Sequence, residues 1–267
     1  MNQKYVHGYD AREGSRLMDQ AATLAEILHA DTIYAAGSKV LEAGCGVGAQ
    51  SVILARNNPE AQITSVDLSR RSLLAARERV AASGFTNVTF HQADILRLPY
   101  GDDAFDHVFV CFVLEHLPNP GYALRCLHRV LKPGGTLTVI EGDHGSVYFH
   151  PDSRYARRSI QCLIDLQAGM GGNSLIGRQL YPLIKSAGYR GVRVSPRMIY
   201  VDSSRPGLVE GFTKNTFIAM VEGVKDPAIR SSLMEEADWD RGIRDLYRTT
   251  REDGTFIYTF FKGVASK

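Results

Sequence analysis

Between residues 39 and 142 the chain alternates short apolar runs with helix-like segments, and that alternation most restricts the architecture it can adopt. The strand-like runs are KVLEA (39–43), QITSVD (62–67), NVTFHQA (87–93), HVFVCFVL (107–114) and TLTVIEG (136–142). Between them lie GAQSVILARN (48–57), SRRSLLAARERVAAS (69–83) and GYALRCLHRVL (121–131), which carry helical spacing. Strands rich in Val, Ile and Phe that each feed a helix call for a largely parallel sheet covered by helices. The expected fold class is α/β.

Local punctuation agrees. Ser69 is placed to cap the helix that follows it, and LKPGGTL puts a tight turn before the fifth run. Beyond residue 142 the pattern loosens. GDHGSVYFHPDS reads as a polar and aromatic loop, RYARRSIQCLIDLQAGM as a helix, and LIGRQLYPLIKSAG as another. RGVRVSPRMIYVD (190–202) is a sixth strand, with Pro196 at an edge or bend, and GTFIYTFFKGVAS is a final strand. The stretch of about 50 residues between them is too long for a bare loop and is assigned helices near 206–224 and 227–249. No repeat and no linker divides the chain.

The first strand runs into Gly44, Cys45, Gly46, Val47 and Gly48. Glycines allow a tight turn and close backbone approach to a ligand, and the next helix presents its N-terminus there. Asp67, at the end of the second strand, is where an acid can hold a ribose. These letters also fit a dinucleotide fingerprint with Ala49 as the last small residue, so spacing alone leaves a nicotinamide cofactor open.

VLEAGCGVGAQS (40–51), VDLS (66–69), HQADILRLPYGDDAFDHVFVCFVLEHLPNP (91–120) and RVLKPGGTLTVIE (129–141) resemble, in order, the motifs of class I S-adenosylmethionine-dependent methyltransferases. The resemblance is especially to the branch that methylates small molecules and quinone precursors, and it spans about residues 38–142. It implies a Rossmann-like class I methyltransferase fold: a mostly parallel seven-stranded sheet with helices on both faces and the last strand antiparallel. It implies a single methyltransferase domain over 1–267, with an N-terminal lid helix region (1–30), a cofactor-binding core (38–142) and helical substrate-cover additions (143–185 and 203–250).

The resemblance also implies site residues for S-adenosyl-L-methionine. Gly44, Cys45, Gly46 and Gly48 would form the loop against the methionine part, supported by Glu42. Asp67 would accept from the ribose hydroxyls and Leu68 would pack on the adenine. Asp94 would accept from the adenine amino group while the Ile95 amide meets the ring. Phe112 to His116 would line the methyl-donor side. Arg16, on the N-terminal helix, would bind the cofactor carboxylate, with a surface salt bridge as its alternative.

Methyl transfer from a sulfonium is an in-line displacement that rests on alignment, and a general base is needed only where the acceptor must lose a proton. Polar side chains follow the fourth and fifth strands, where α/β folds assemble sites. His144 ranks first as a base, with Asp143 as its orienter or an alternative; ordinary loop polarity is the competing reading for both. Phe149, Met170, Tyr200, Phe212, Phe217 and Trp239 are available to wall an apolar acceptor pocket. The set His144, His150 and Asp152 has no compact ligand spacing, so no metal is expected.

Net charge is +2 with both signs mixed along the chain, which gives no support to a nucleic-acid partner. The four cysteines lack disulfide-scaffold density, and no apolar run approaches a membrane span. The expectation is a cytoplasmic enzyme without membrane insertion, acting on a small molecule, with a homodimer left open. An RNA or protein methyltransferase, an NAD-dependent oxidoreductase and a nonenzymatic cofactor-binding module remain as alternatives.

Overall fold

The strands order as β3-β2-β1-β4-β5-β7-β6 in one seven-stranded sheet, in a computed structural model that describes residues 11–267 and side chains from residue 20 onward. They are β1 (Lys39–Ala43), β2 (Gln62–Asp67), β3 (Val88–Gln92), β4 (Phe105–Cys111), β5 (Leu131–His150), β6 (Arg190–Val201) and β7 (Thr255–Ser266). Pairs β1–β2, β1–β4, β2–β3 and β4–β5 are parallel. β7 is antiparallel to β5: the Lys267 N–H donates to Gly135 O (3.1 Å), whereas the Thr259 N–H donates to Ser146 Oγ (2.9 Å).

The helices of the parallel half are α2 (Ala49–Asn57), α3 (Arg70–Ala82) and α4 (Pro120–Val130), after α1 (Ala11–His29). Right-handed crossovers from β1 to β2 to β3 put α2 and α3 on one face; the reversed direction from β4 to β5 puts α4 on the other. Coverage of both faces explains why β1 and β4 read as nearly unbroken apolar runs, with Val40, Leu41, Val108, Phe109 and Val110 fully buried. The strand order reverses between β1 and β4, the place where open α/β sheets form their ligand crevice. Ser69 caps α3 by accepting the Ser72 N–H (3.2 Å).

Contacts divide the chain into two compact units. The first comprises Ala25–Gly142, Ile176–Arg197 and Phe260–Lys267 and holds the glycine turn. The second comprises, among the described residues, those up to Leu24, Asp143–Leu175 and Met198–Thr259. It contains α5 (Arg154–Gly169), α7 (Pro206–Leu208), a π-helix (Val209–Ile218), α8 (Ala219–Glu222), α9 (Lys225–Arg230) and α10 (Glu236–Arg248), while α6 (Leu180–Ser186) belongs to the first.

Two expectations need correction. The fourth strand ends at Cys111 rather than Leu114, because Phe112 turns to φ +57° and Leu114–His116 form a 3-10 turn. Residues 142–150 are not a loop: β5 continues through them to His150. Val147 and Phe149 are buried while Tyr148 is exposed, an alternation that the polar GDHGS stretch conceals.

Candidate active site

The glycine turn is built by backbone geometry. Gly44, Gly46 and Gly48 have φ of +80°, +52° and +81°. A Cβ at Gly44 would lie 2.5 Å from Val113 Cγ2, and one at Gly48 would lie 2.8 Å from Ala76 Cα, so β4's exit and α3 approach too closely for any side chain. Gly46 faces open space, with no atom within 4 Å of a built Cβ. The N–H groups of Gly44 and Cys45 both reach Val66 O, which ties the turn to the end of β2, and Arg79 holds the Val47 carbonyl from α3.

Glu42 lies beneath the turn, almost wholly buried, and accepts the hydroxyls of Ser51 (2.6 Å) and Ser65 (2.5 Å) at Oε2. Burial pushes its carboxyl up to about 7, against those two hydrogen bonds. Cys45 is buried and its thiol is pushed up by the same desolvation, so it packs rather than reacts.

Asp67 ends β2 with both oxygens engaged: Oδ2 accepts the Gly46 N–H and Oδ1 the Ser69 N–H, each at 2.8 Å. Burial pushes this carboxyl up, opposed by the N–H groups of Ser69, Gly46 and Leu68. Each oxygen keeps a further lone pair, so the group is fixed in orientation and still able to accept. Leu68, next along, is 57% exposed, an apolar side chain held in the open by the Asp67 and Ser69 anchors. Asp94 caps the short turn Ile95–Arg97 by accepting the Leu96 N–H at Oδ1 (2.9 Å), which leaves Oδ2 for another donor. As the first residue of that turn, Ile95 has an N–H with no partner inside it.

The β4 exit rests on a residue the sequence reading passed over. Glu141, fully buried on β5, accepts the N–H groups of Val113 (3.0 Å) and Leu114 (2.7 Å) at Oε1. Those bonds, with the Phe112 N–H to Ile140 O (2.9 Å), hold Phe112 in a conformation that costs a non-glycine residue about 1–3 kcal/mol. The Phe112 ring packs against Phe260 at 5.4 Å. Burial and the nearby Glu115 push the Glu141 carboxyl well up. His116 is half-buried at the end of the same turn, with Nε2 3.6 Å from Glu115 Oε1. The available signal was an acid inside an otherwise apolar run, TVIE, as in VLE at Glu42.

In the second unit, His144 is 6% exposed and its Nδ1 meets the Tyr258 hydroxyl at 2.7 Å. Asp143, placed by the sequence as its orienter, instead accepts the Gly145 N–H at Oδ1 (3.0 Å); neighbours on one strand point to opposite faces, and Tyr258 takes the Nδ1 position. Phe217 packs edge-on against His144, and Phe212, Phe217, Phe256 and Tyr258 pack on one another at centroid distances from 5.0 to 6.2 Å. Of the expected pocket walls, Phe212 and Phe217 join this cluster, Phe149 and Trp239 are buried, and Met170 and Tyr200 are exposed. Tyr258 was missed, although TFIYTFF puts Phe256, Tyr258 and Phe260 on one face. The side chain of Arg16 lies outside the described residues. Among the described residues no group of three or more His, Cys, Asp or Glu is placed to hold a metal ion, and no helix is long and apolar enough to cross a membrane.

Residues 35–188 match the family model described as a methyltransferase domain. The chain belongs to that family. It is 35% identical over 141 residues to methyltransferase GfsG of Streptomyces halstedii, covering 52% of this chain and 50% of that protein. It is 36% identical over 106 residues to a demethylmenaquinone methyltransferase of Listeria monocytogenes (39% and 45% covered), and 31% identical over 134 residues to the 27-O-demethylrifamycin SV methyltransferase of Amycolatopsis mediterranei (50% and 49%). The chain spans about half the length of the relatives it matches.

Among solved structures, the [4+2]-cyclase SpnF superposes with a TM-score of 0.56 at 24% identity, over 93% of this chain and 81% of that one. Phosphoethanolamine N-methyltransferase 2 of Haemonchus contortus, solved with S-adenosyl-L-methionine, gives 0.56 at 17%, over 93% and 52%. These likenesses establish the Rossmann-like class I methyltransferase fold. One shared fold spans a cyclase and a methyltransferase, so chemistry has to be argued from residues.

Proposed function

We propose that this methyltransferase-family chain transfers a methyl group from S-adenosylmethionine to a small-molecule acceptor. The observation that carries the reading is Asp67: its two oxygens are locked by Gly46 and Ser69 N–H groups, and each retains a lone pair for a vicinal diol. Open space at Gly46, the exposed Leu68 and the second oxygen of Asp94 supply room for the methionine part, an apolar platform for a purine and an acceptor for its amino group. When bound, S-adenosylmethionine supplies a methyl carbon activated on a sulfonium.

Two relatives are named for demethylmenaquinone and 27-O-demethylrifamycin SV, which supports a small organic acceptor over RNA or protein. The cytoplasm is the proposed place of action. Where the acceptor must lose a proton, His144 takes it, with Asp143 as the alternative. The tautomer required has Nδ1–H donating to the Tyr258 oxygen, with Nε2 as the basic atom. The same contact stabilises the imidazolium that forms.

Calorimetric titration with S-adenosylhomocysteine tests the cofactor half. One-to-one binding is expected, with no heat from NAD and a loss of about 2 kcal/mol, on the order of 30-fold, in Asp67→Ala. NAD binding in place of S-adenosylhomocysteine would sink the reading. Formation of S-adenosylhomocysteine only when an acceptor is added separates an enzyme from a binding module.

A further inference from the structure

The N-terminus of α5 and one face of α10 line a groove of about 500 Å³ whose charged walls are Asp152, Arg154, Arg241, Asp245 and Arg248. The two helices are locked at closest approach: a Cβ on Gly242 would lie 2.3 Å from Ser159 Oγ and 2.7 Å from Tyr155 O. Buried Trp239 and Leu246 anchor α10, and Ser153 Oγ donates to Asp245 Oδ2 at 2.5 Å. The walls are therefore fixed before any ligand arrives.

Within this frame two guanidinium groups lie over one ring, with Arg241 Cζ 4.2 Å and Arg154 Cζ 4.8 Å from the Tyr155 centroid. Contacts of this kind contribute about 0.5–1 kcal/mol each, and they seat both guanidinium groups on a half-buried ring that lines the groove. The other charges have partners of their own, and Asp238 acts on Arg154 electrostatically. Arg157 pairs with Asp152 (2.6 Å), Arg248 pairs with Asp253, and Asp245 takes the Ser153 hydroxyl. Arg154 spends Nη2 on the Tyr155 hydroxyl (2.7 Å), and among the described residues Arg241 is held by the ring alone. Both residues line the same groove, so their remaining N–H donors are available there to a ligand with several anionic oxygens.

We propose that this groove is a second ligand site, taking a phosphate-type oxyanion on Arg241 and Arg154. The inference goes beyond methyl transfer and does not depend on it. A carboxylate offers two oxygens and satisfies one fork; a phosphate group offers enough for both. The group is either free phosphate or a phosphomonoester whose organic part fills the rest of the groove.

Calorimetric titration of the full chain with inorganic phosphate and with phenyl phosphate tests the site against Arg241→Gln and Arg154→Gln. Saturable binding that weakens by about tenfold or more in Arg241→Gln is expected, as one charge-assisted fork is lost. Tighter binding of phenyl phosphate assigns an esterified phosphate, and equal binding assigns the free ion. No saturation by about 10 mM, or affinity unchanged in both variants, overturns the site. S-adenosylhomocysteine titration of Arg241→Gln is the control: it keeps wild-type affinity, so failure here and failure of the methyltransferase reading are distinguishable.

Discussion

The two units hold their candidate site residues in opposite ways. The unit with the glycine turn works through main chain and buried carboxylates: three glycines at positive φ, Asp67 gripped by two N–H groups, and Glu141 gripping two more. The unit with His144 works through rings, with one imidazole and one phenol hydrogen-bonded among phenylalanines. A main-chain device is sensitive to a single Cβ or acceptor, most of all at Gly48, where a Cβ would meet the backbone of Ala76. A ring cluster keeps most of its burial when one polar atom is removed.

The sharpest break of that contrast lies inside the turn. Gly48→Ala puts a methyl 2.8 Å from Ala76 Cα in a left-handed conformation and should cost about 3 kcal/mol or more. Gly46→Ala shares the positive φ but meets no atom, so about 1–2 kcal/mol is expected. Its methyl enters the space proposed for the cofactor, so S-adenosylhomocysteine affinity should fall further than stability does. Thermal unfolding and titration of both variants measure this, and equal losses of stability would show that proximity to α3 is not what demands Gly48.

Next in size is the support of the β4 exit. Glu141→Leu strands the N–H groups of Val113 and Leu114 in the core, at about 1–3 kcal/mol each. Glu141→Gln keeps an oxygen at that position and should stay within about 1 kcal/mol of wild type. Denaturant unfolding separates them; two equal losses would assign the effect to packing. For the ring cluster, Tyr258→Phe keeps the aromatic contacts and removes the partner of His144 Nδ1, so a loss of about 1 kcal/mol is expected in the same measurement. A loss as large as that of Glu141→Leu would erase the distinction between the units.

The same distinction governs what was legible in the sequence. β1 and β2 fall on the expected residues, and Ser69 caps as expected, because apolar period, glycine placement and capping are local signals. Asp67 follows from a strand end, which is local too, whereas Leu68 and Asp94 come only from the family resemblance. The ring cluster is not local: His144 and Tyr258 are 114 residues apart, and only the register of β5 against β7 brings them together. The π-helix escapes periodicity because its backbone bonding is not the 3.6-residue repeat. It also needs Gly211, whose Cβ would lie 2.3 Å from Thr23 Oγ1, a contact between distant segments. Glu141 was visible as an acid among apolar neighbours, but its two N–H donors come from a turn that the expected extension of β4 had straightened.

The finest test concerns protons within the first unit. The Glu42 carboxyl is pushed up to about 7 in the fold from an ordinary 4.5, so across that window the folded chain holds a proton that the unfolded chain has lost. Stability from this group falls as pH rises through the window. His29 at the end of α1 is pulled down to about 4 from 6.5 by burial and by Lys262, so the unfolded chain holds the extra proton and stability rises with pH across that range. Where the windows overlap the two slopes oppose each other, each at most about 1.4 kcal/mol per pH unit. Glu42→Gln should therefore gain stability with rising pH more steeply than wild type, and His29→Gln less steeply. Urea unfolding of the three proteins at several pH values across the overlap reads the difference directly. Parallel curves would mean that neither group keeps its unusual protonation in solution; divergence in the stated directions would show that burial holds Glu42 protonated and His29 neutral in the folded chain.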